Sequence, residues 1–145
     1  IIIFGLNMKD FVLDHRLEKD CLVLGKMNIS MLLLMNNALV PWLILVPCTS
    51  KTEITDLSAE DQASLLEEIN ILSGFIKSNF EITKLNIASI GNIVSQLHVH
   101  VVGRHSSDYC WPGVVWGVQE KKIYTNKQVN KITLALREQL GDNFR

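Results

Sequence analysis

The chain has 145 residues and a mass of 16.4 kDa, the size of one domain, with 48% hydrophobic and 20% charged residues. These figures exclude a disordered chain and a long repeat array, and they allow a core without covalent staples. Lys and Arg number 14 against 15 Asp and Glu, for a formal net charge of −1, so no basic excess exists to neutralise a run of phosphates and nucleic-acid binding is not expected.

Residues 1–6 are apolar but too short to span a membrane, and no basic residue precedes them. They read as neither a span nor a signal peptide, but as a tag remnant or mis-assigned start ahead of Met8. Residues 14–19 predict a short helix. Residues 21–24 read as a strand ended by Gly25, and residues 31–35 as a second strand before an Asn36-Asn37 turn. Residues 42–46 predict a third strand, closed by Pro47. The uncharged stretch 27–50 is broken by Asn36, Asn37, Pro41 and Pro47, which suits buried strands better than a membrane helix. Ser58 can cap the clearest helix, with Asp61 three residues on. Leu65, Ile69, Leu72 and Ile76 form its apolar stripe, and it ends near Asn79. Residues 85–90 and 96–102 predict two further strands around a Gly91-Asn92 break. Residues 105–117, with Trp111 and Trp116, read as a structured loop. A last amphipathic helix is expected over residues 126–140, stopped by Gly141. The short connections favour an α+β fold built on an antiparallel sheet. One domain covers residues 1–145, with its core at about 14–117 and a C-terminal helical segment at 118–145. Cys21, Cys48 and Cys110 are odd in number and widely spaced. They imply no disulfide framework or zinc knuckle, and a reducing, cytoplasmic compartment is expected.

The informative stretch is Gln96-Leu97-His98-Val99-His100-Val101-Val102. Alternation along a strand places Gln96, His98 and His100 on one face, with same-face neighbours about 6.7 Å apart. Two imidazoles so placed can flank one phosphate. Neutral imidazole is a capable nucleophile near pH 7, and a phosphoramidate at histidine splits one substitution into two easier ones. Spacing alone leaves three readings open: a solvated sheet face, a metal pair completed by His105 and Cys110, and a catalytic pair. Arg104 reads equally as a distal-phosphate ligand and as a solvated charge. Cys110 reads as structural and His15 as solvated. Asp14, Glu18, Glu67 and Glu68 read as exposed helix faces.

The Gln-Leu-His-Val-His-Val-Val stretch followed by Gly103-Arg104 resembles the signature of the histidine triad (HIT) superfamily, His-φ-His-φ-His-φ-φ with φ apolar. Leu33-Leu34-Met35-Asn36, the Pro41–Pro47 segment, Leu85-Asn86-Ile87, Gly91-Asn92 and Trp111-Pro112-Gly113 resemble further family segments in order. The resemblance implies a five-stranded antiparallel sheet with a long central helix and a C-terminal helix. It implies that His98 attacks the α-phosphate of a purine nucleotide, that a covalent nucleotidyl-histidine forms, and that water releases the monophosphate. His100 would contact phosphate oxygens, Asn36 the ribose, and Asn86 the phosphate and ribose region. Asn92 and Trp111 would line the substrate site, and Leu22 or Leu24 would sandwich the base. A homodimer joined edge to edge is expected, with no cofactor, metal, nucleic acid or membrane partner. Gln96 stands where the first triad histidine is expected, and an amide cannot shuttle a proton at pH 7. Asn92 and Ile93 stand where many relatives carry Gln and a hydroxyl residue. A nucleotide-binding module with vestigial chemistry is the alternative.

Overall fold

The structure, a computed structural model, describes residues 10–145, so the apolar run 1–6 lies outside the described residues. Asp14 opens α1 (His15–Asp20), its carboxylate accepting the Arg16 amide at 2.9 Å. There follow β1 (Cys21–Lys26), β2 (Ser30–Met35) and β3 (Trp42–Pro47), an antiparallel meander whose apolar side chains pack on both faces. Ser58 Oγ accepts the Asp61 amide at 3.0 Å and so caps α2 (Ala59–Asn79). The chain then forms β4 (Lys84–Ala88), β5 (Val99–Arg104) and α3 (Asn126–Leu140). Thr125 and Gln128 cap α3 reciprocally, and Gly141, at φ 53°, ends it in a backbone conformation that glycine adopts without strain.

The five strands lie in the order β1-β2-β3-β5-β4, and every pairing is antiparallel. Two apolar layers cover the sheet. On one face, Leu43, Leu45, Val99 and Val101 meet Leu65, Leu72, Phe75 and Ile76 of α2 and Ile132 and Leu136 of α3. On the other, Cys21, Leu33, Trp42, Ile44 and Val102 meet Leu17 of α1 and Val115. Burying each large apolar side chain contributes roughly 1.5–3 kcal/mol, so both layers hold the central strands. A β carbon at Gly103 would stand 2.7–2.8 Å from Ile76, Pro41 and Ile82. The absence of a side chain there lets β5 run close beneath α2.

The helices and strands lie where the sequence predicts, with instructive differences. The ladder of β5 starts at Val99 opposite Leu45 and runs to Arg104, two residues past the expected end. Gln96, Leu97 and His98 approach the sheet before the first rung. Glu68 is not on an exposed face. It is 2% exposed, and its carboxylate accepts the amides of Ile29 and Ser30 and the Ser30 hydroxyl, fastening the β1–β2 turn to α2. Desolvation raises its carboxyl above the ordinary range. Asp14 likewise serves as a helix cap, held well below the usual carboxylate range by the Arg16 side chain. The three cysteines are free. Among the described residues no helix is long and apolar enough to cross a membrane.

Candidate active site

Strand alternation gives β5 two unlike faces. Val99 and Val101 enter the layer under α2. His98, His100 and Val102 therefore face the other way, beside Trp42 and Ile44 of β3. The His98 and His100 rings lie 4.9 Å apart between centroids at an interplanar angle of 75°, and are 4% and 5% exposed.

The hydrogen bonds fix the proton on each ring. His98 Nδ1 lies 2.7 Å from the Gln96 carbonyl oxygen. A carbonyl only accepts, so Nδ1 carries the hydrogen and the neutral ring keeps its lone pair on Nε2. At His100 the pattern reverses. Trp42 Nε1–H donates to His100 Nδ1 at 2.9 Å, so the hydrogen of neutral His100 sits on Nε2. One ring thus offers a nucleophilic nitrogen and its neighbour a donor. Neither Nε2 is among the partnerless side-chain atoms sealed from solvent in the described residues, which are Ser73 Oγ, Tyr109 OH and Trp116 Nε1. The Trp116 ring stands edge-on to both His100 and Trp42, at 5.4 and 5.8 Å.

Gln96 uses its backbone and side chain for different partners. Its carbonyl holds His98. Its side-chain oxygen accepts the Asp14 amide at 2.8 Å, and its side-chain nitrogen donates to the Val12 carbonyl at 2.9 Å. Arg16 Nη1 adds a bond to the Ile93 carbonyl at 2.6 Å. The segment before α1 is thereby strapped to the approach to β5. Beside the strap is a cavity of about 480 Å³ lined by Val12, Asp14, Thr49, Lys51, Ser95 and Gln96, among others.

Several expected substrate ligands have hydrogen-bond partners within the protein. Arg104 is neither solvated nor free for phosphate. It is 1% exposed. Its guanidinium donates through Nε and Nη2 to Asp108, through Nη1 to Asn86 Oδ1, and through Nη2 to the Gly113 carbonyl, all at 2.7–2.9 Å. Strand direction carries it inward, and Asp108 on the following turn meets it. Asn86 Oδ1 is one of these acceptors. Asn36 Oδ1 accepts the Tyr124 amide at 3.0 Å and anchors the segment entering α3. Leu22 and Leu24 pack in the α2 layer, on the sheet face opposite the histidines. Cys21, and Val23 paired with Leu33, are the β1 side chains on the histidine face. Asn92 is exposed on the turn before the triad. Trp111 is exposed, with the Arg104 guanidinium 5.7 Å from its ring. His105 engages Ser107, and Cys110 Sγ lies 3.5 Å from Arg104 Nη2, so neither joins the histidine pair. Trp42 and Asp108 are the residues that strand reading missed. A buried face bearing two imidazoles needs partners for their nitrogens, and an indole on a neighbouring strand is such a partner.

The family model for the HIT domain matches residues 16–107. The chain belongs to the histidine triad family. Among solved structures, a histidine triad protein from Sinorhizobium meliloti 1021 is 37% identical, with a TM-score of 0.88, covering 92% of this chain and 99% of that one. One from Bradyrhizobium japonicum is 38% identical with a TM-score of 0.85, covering 89% and 97%. One from Marinobacter aquaeolei VT8 is 40% identical with a TM-score of 0.86, covering 92% and 98%. No curated protein matches the chain.

As a histidine triad protein, the chain carries His98 and His100 on one sheet face, with Gln96 two residues before them. The environment of His100 has a thermodynamic consequence. Burial, and secondarily the charge of His98, push its pKa down to about 3. The unfolded chain takes up a proton there near pH 6.5 while the folded protein does not. Stability therefore falls as the pH drops from about 6.5 towards 3, by at most about 1.4 kcal/mol per pH unit. Glu68, with its raised carboxyl, acts in the opposite sense above pH 4.5. The urea midpoint is expected to drop between pH 7 and pH 5. In His100→Asn, which still accepts from Trp42, the drop should shrink. Equal slopes in the two proteins would refute the assignment.

Proposed function

We propose that this protein is a nucleotide hydrolase or nucleotidyl transferase that cleaves a phosphoanhydride or phosphoramidate bond at the α-phosphate of a purine nucleotide through His98. The observation that carries the reading is the complementary protonation of the two rings, a lone pair on His98 Nε2 beside a hydrogen on His100 Nε2. The His98 nitrogen bonds to phosphorus as the bond to the leaving group breaks, with its electron pair going to the leaving group. Water then attacks phosphorus and gives up a proton to bulk solvent, the phosphorus–nitrogen bond breaks with its electron pair returning to Nε2, and the monophosphate leaves with neutral His98 restored. Donation from His100 Nε2–H to a non-bridging oxygen stabilises the charge that develops. No proton comes from the Gln96 amide. A leaving phosphate needs none at neutral pH, whereas a leaving amine draws one from water.

Lys51, Thr49, Ser50 and Thr52, which line the cavity beside the strap, are suited to the part of the substrate beyond the α-phosphate. A homodimer formed through β4, the edge strand next to β5, would cover unpaired backbone groups. The near-enclosure of both rings and the amide at position 96 favour one other reading, a binding module that holds a nucleotide without turning it over.

The two readings part on one experiment. Protein is mixed with a labelled dinucleoside polyphosphate or nucleoside phosphoramidate and quenched, and the nucleotidyl adduct is sought by mass spectrometry. An adduct on His98 supports the enzyme. Tight AMP binding with neither adduct nor turnover supports the module.

A further inference from the structure

We infer that Trp42 is a positioning residue that holds His100 in its Nε2–H tautomer and so makes it a donor to bound phosphate. The inference rests on the reading of His98 and His100 given above and adds a residue to it. Trp42 opens β3 opposite Val102, so its side chain shares a face with His100. Both side chains are buried. The indole nitrogen always carries a hydrogen and never accepts. At 2.9 Å from His100 Nδ1, it leaves no room for a hydrogen on that atom, because two N–H groups would then point at each other. It also excludes the doubly protonated ring, which carries both hydrogens.

Among the described residues no other neighbour can impose this choice. Ile44 on β3 and Ala88 on β4 are the cross-strand partners of His100, and neither has a side-chain polar group. Trp116 packs against His100, but its own N–H has no partner among the described residues. Among the described residues, His98 is the one titratable group whose charge bears on the ring, and its hydrogen is committed to the Gln96 carbonyl. The two indoles are thus divided in role: Trp116 encloses the ring by its edge, while Trp42 sets where the hydrogen sits.

The test replaces Trp42 alone, first as Trp42→Phe and then with benzothienylalanine, which keeps the bicyclic shape and exchanges N–H for sulfur. The His100 ring nitrogens are read by ¹⁵N NMR, with AMP affinity and adduct formation measured in parallel. In the unaltered protein His100 should be a single neutral tautomer with its hydrogen on Nε2. In both variants the Nδ1–H form should appear, and AMP affinity or adduct rate should fall roughly 3- to 10-fold, the worth of one hydrogen bond. The melting temperature of the sulfur isostere should stay near that of the parent. Persistence of Nε2–H in both variants would overturn the inference, as would Nδ1–H in the parent. A tautomer change that leaves affinity and rate untouched would also overturn it. If the parent forms no adduct, the transfer reading fails, while the tautomer and AMP affinity still decide the role of Trp42.

Discussion

His98→Ala should form no nucleotidyl adduct and should turn over substrate at least ~10⁴-fold more slowly, the order of loss seen when an enzymic nucleophile is deleted. AMP should still bind. The expectation follows from the division of labour on β5. Only His98 has its Nδ1 hydrogen tied to a carbonyl and its Nε2 lone pair free. His100 has its Nδ1 occupied by Trp42 and bears its hydrogen on Nε2, so it cannot replace the missing nucleophile. On the proposed reading, binding draws on His100 and on contacts away from the deleted ring, so the monophosphate should keep most of its affinity. Single-turnover quench for the adduct and calorimetry for AMP separate the two effects. An adduct that survives in His98→Ala would place the nucleophile elsewhere. Equal losses of binding and turnover would mean that the ring holds ligand and does no chemistry.

Arg104→Met should destabilise the fold by about 3–5 kcal/mol, since it strands a buried carboxylate. That is a large share of the ~5–15 kcal/mol available to a domain this size. The Arg104 and Asp108 side chains are 2% and 4% exposed. Removing the guanidinium leaves Asn86 Oδ1 and the Gly113 carbonyl without its donation, and leaves the Asp108 carboxylate with no countercharge and only the His105 and Cys110 amides, at 3.3 and 3.2 Å. The hydrogen bond from Arg104 is also the main reason the Asp108 carboxyl sits down at about 2. Its stabilising effect is present above the ordinary carboxylate range and lost as the pH falls through 2. Urea unfolding at pH 7 measures the cost. Combining Arg104→Met with Asp108→Leu should recover part of it, because the charge then leaves with its partner. A midpoint for Arg104→Met within error of the parent would mean that the loop is held by something else. The damage should reach the site as well, because the loop that Arg104 ties carries Trp116 to its place against His100.

What was legible in the sequence is what is local. Ser58 with Asp61 joins side chain to backbone within one turn, so the start of α2 is written in a few residues, and the apolar stripe of α3 with Gly141 marks that helix and its end. The two histidines share a face because a strand has a period of two. Tertiary facts were not legible. Leu22 and Leu24 are as apolar as Cys21 and Val23, so alternation gives two sets and leaves open which faces the helices. Arg104 meets Asp108 only because the chain turns back beyond β5. Glu68 is an intermediate case. It stands three residues after Leu65 and four before Leu72 on α2, so helical geometry already placed it on the buried stripe, and its charge concealed this.

The two uses of residue 96 bear on how such a position can drift. Every amino acid carries a main-chain carbonyl, so the acceptor that fixes the His98 tautomer persists whatever occupies the site. The side chain is then free to answer to another demand, here the fastening of Val12 and Asp14. The side chain at this position can therefore change without disturbing the His98 tautomer, with the cost or benefit felt at the strap.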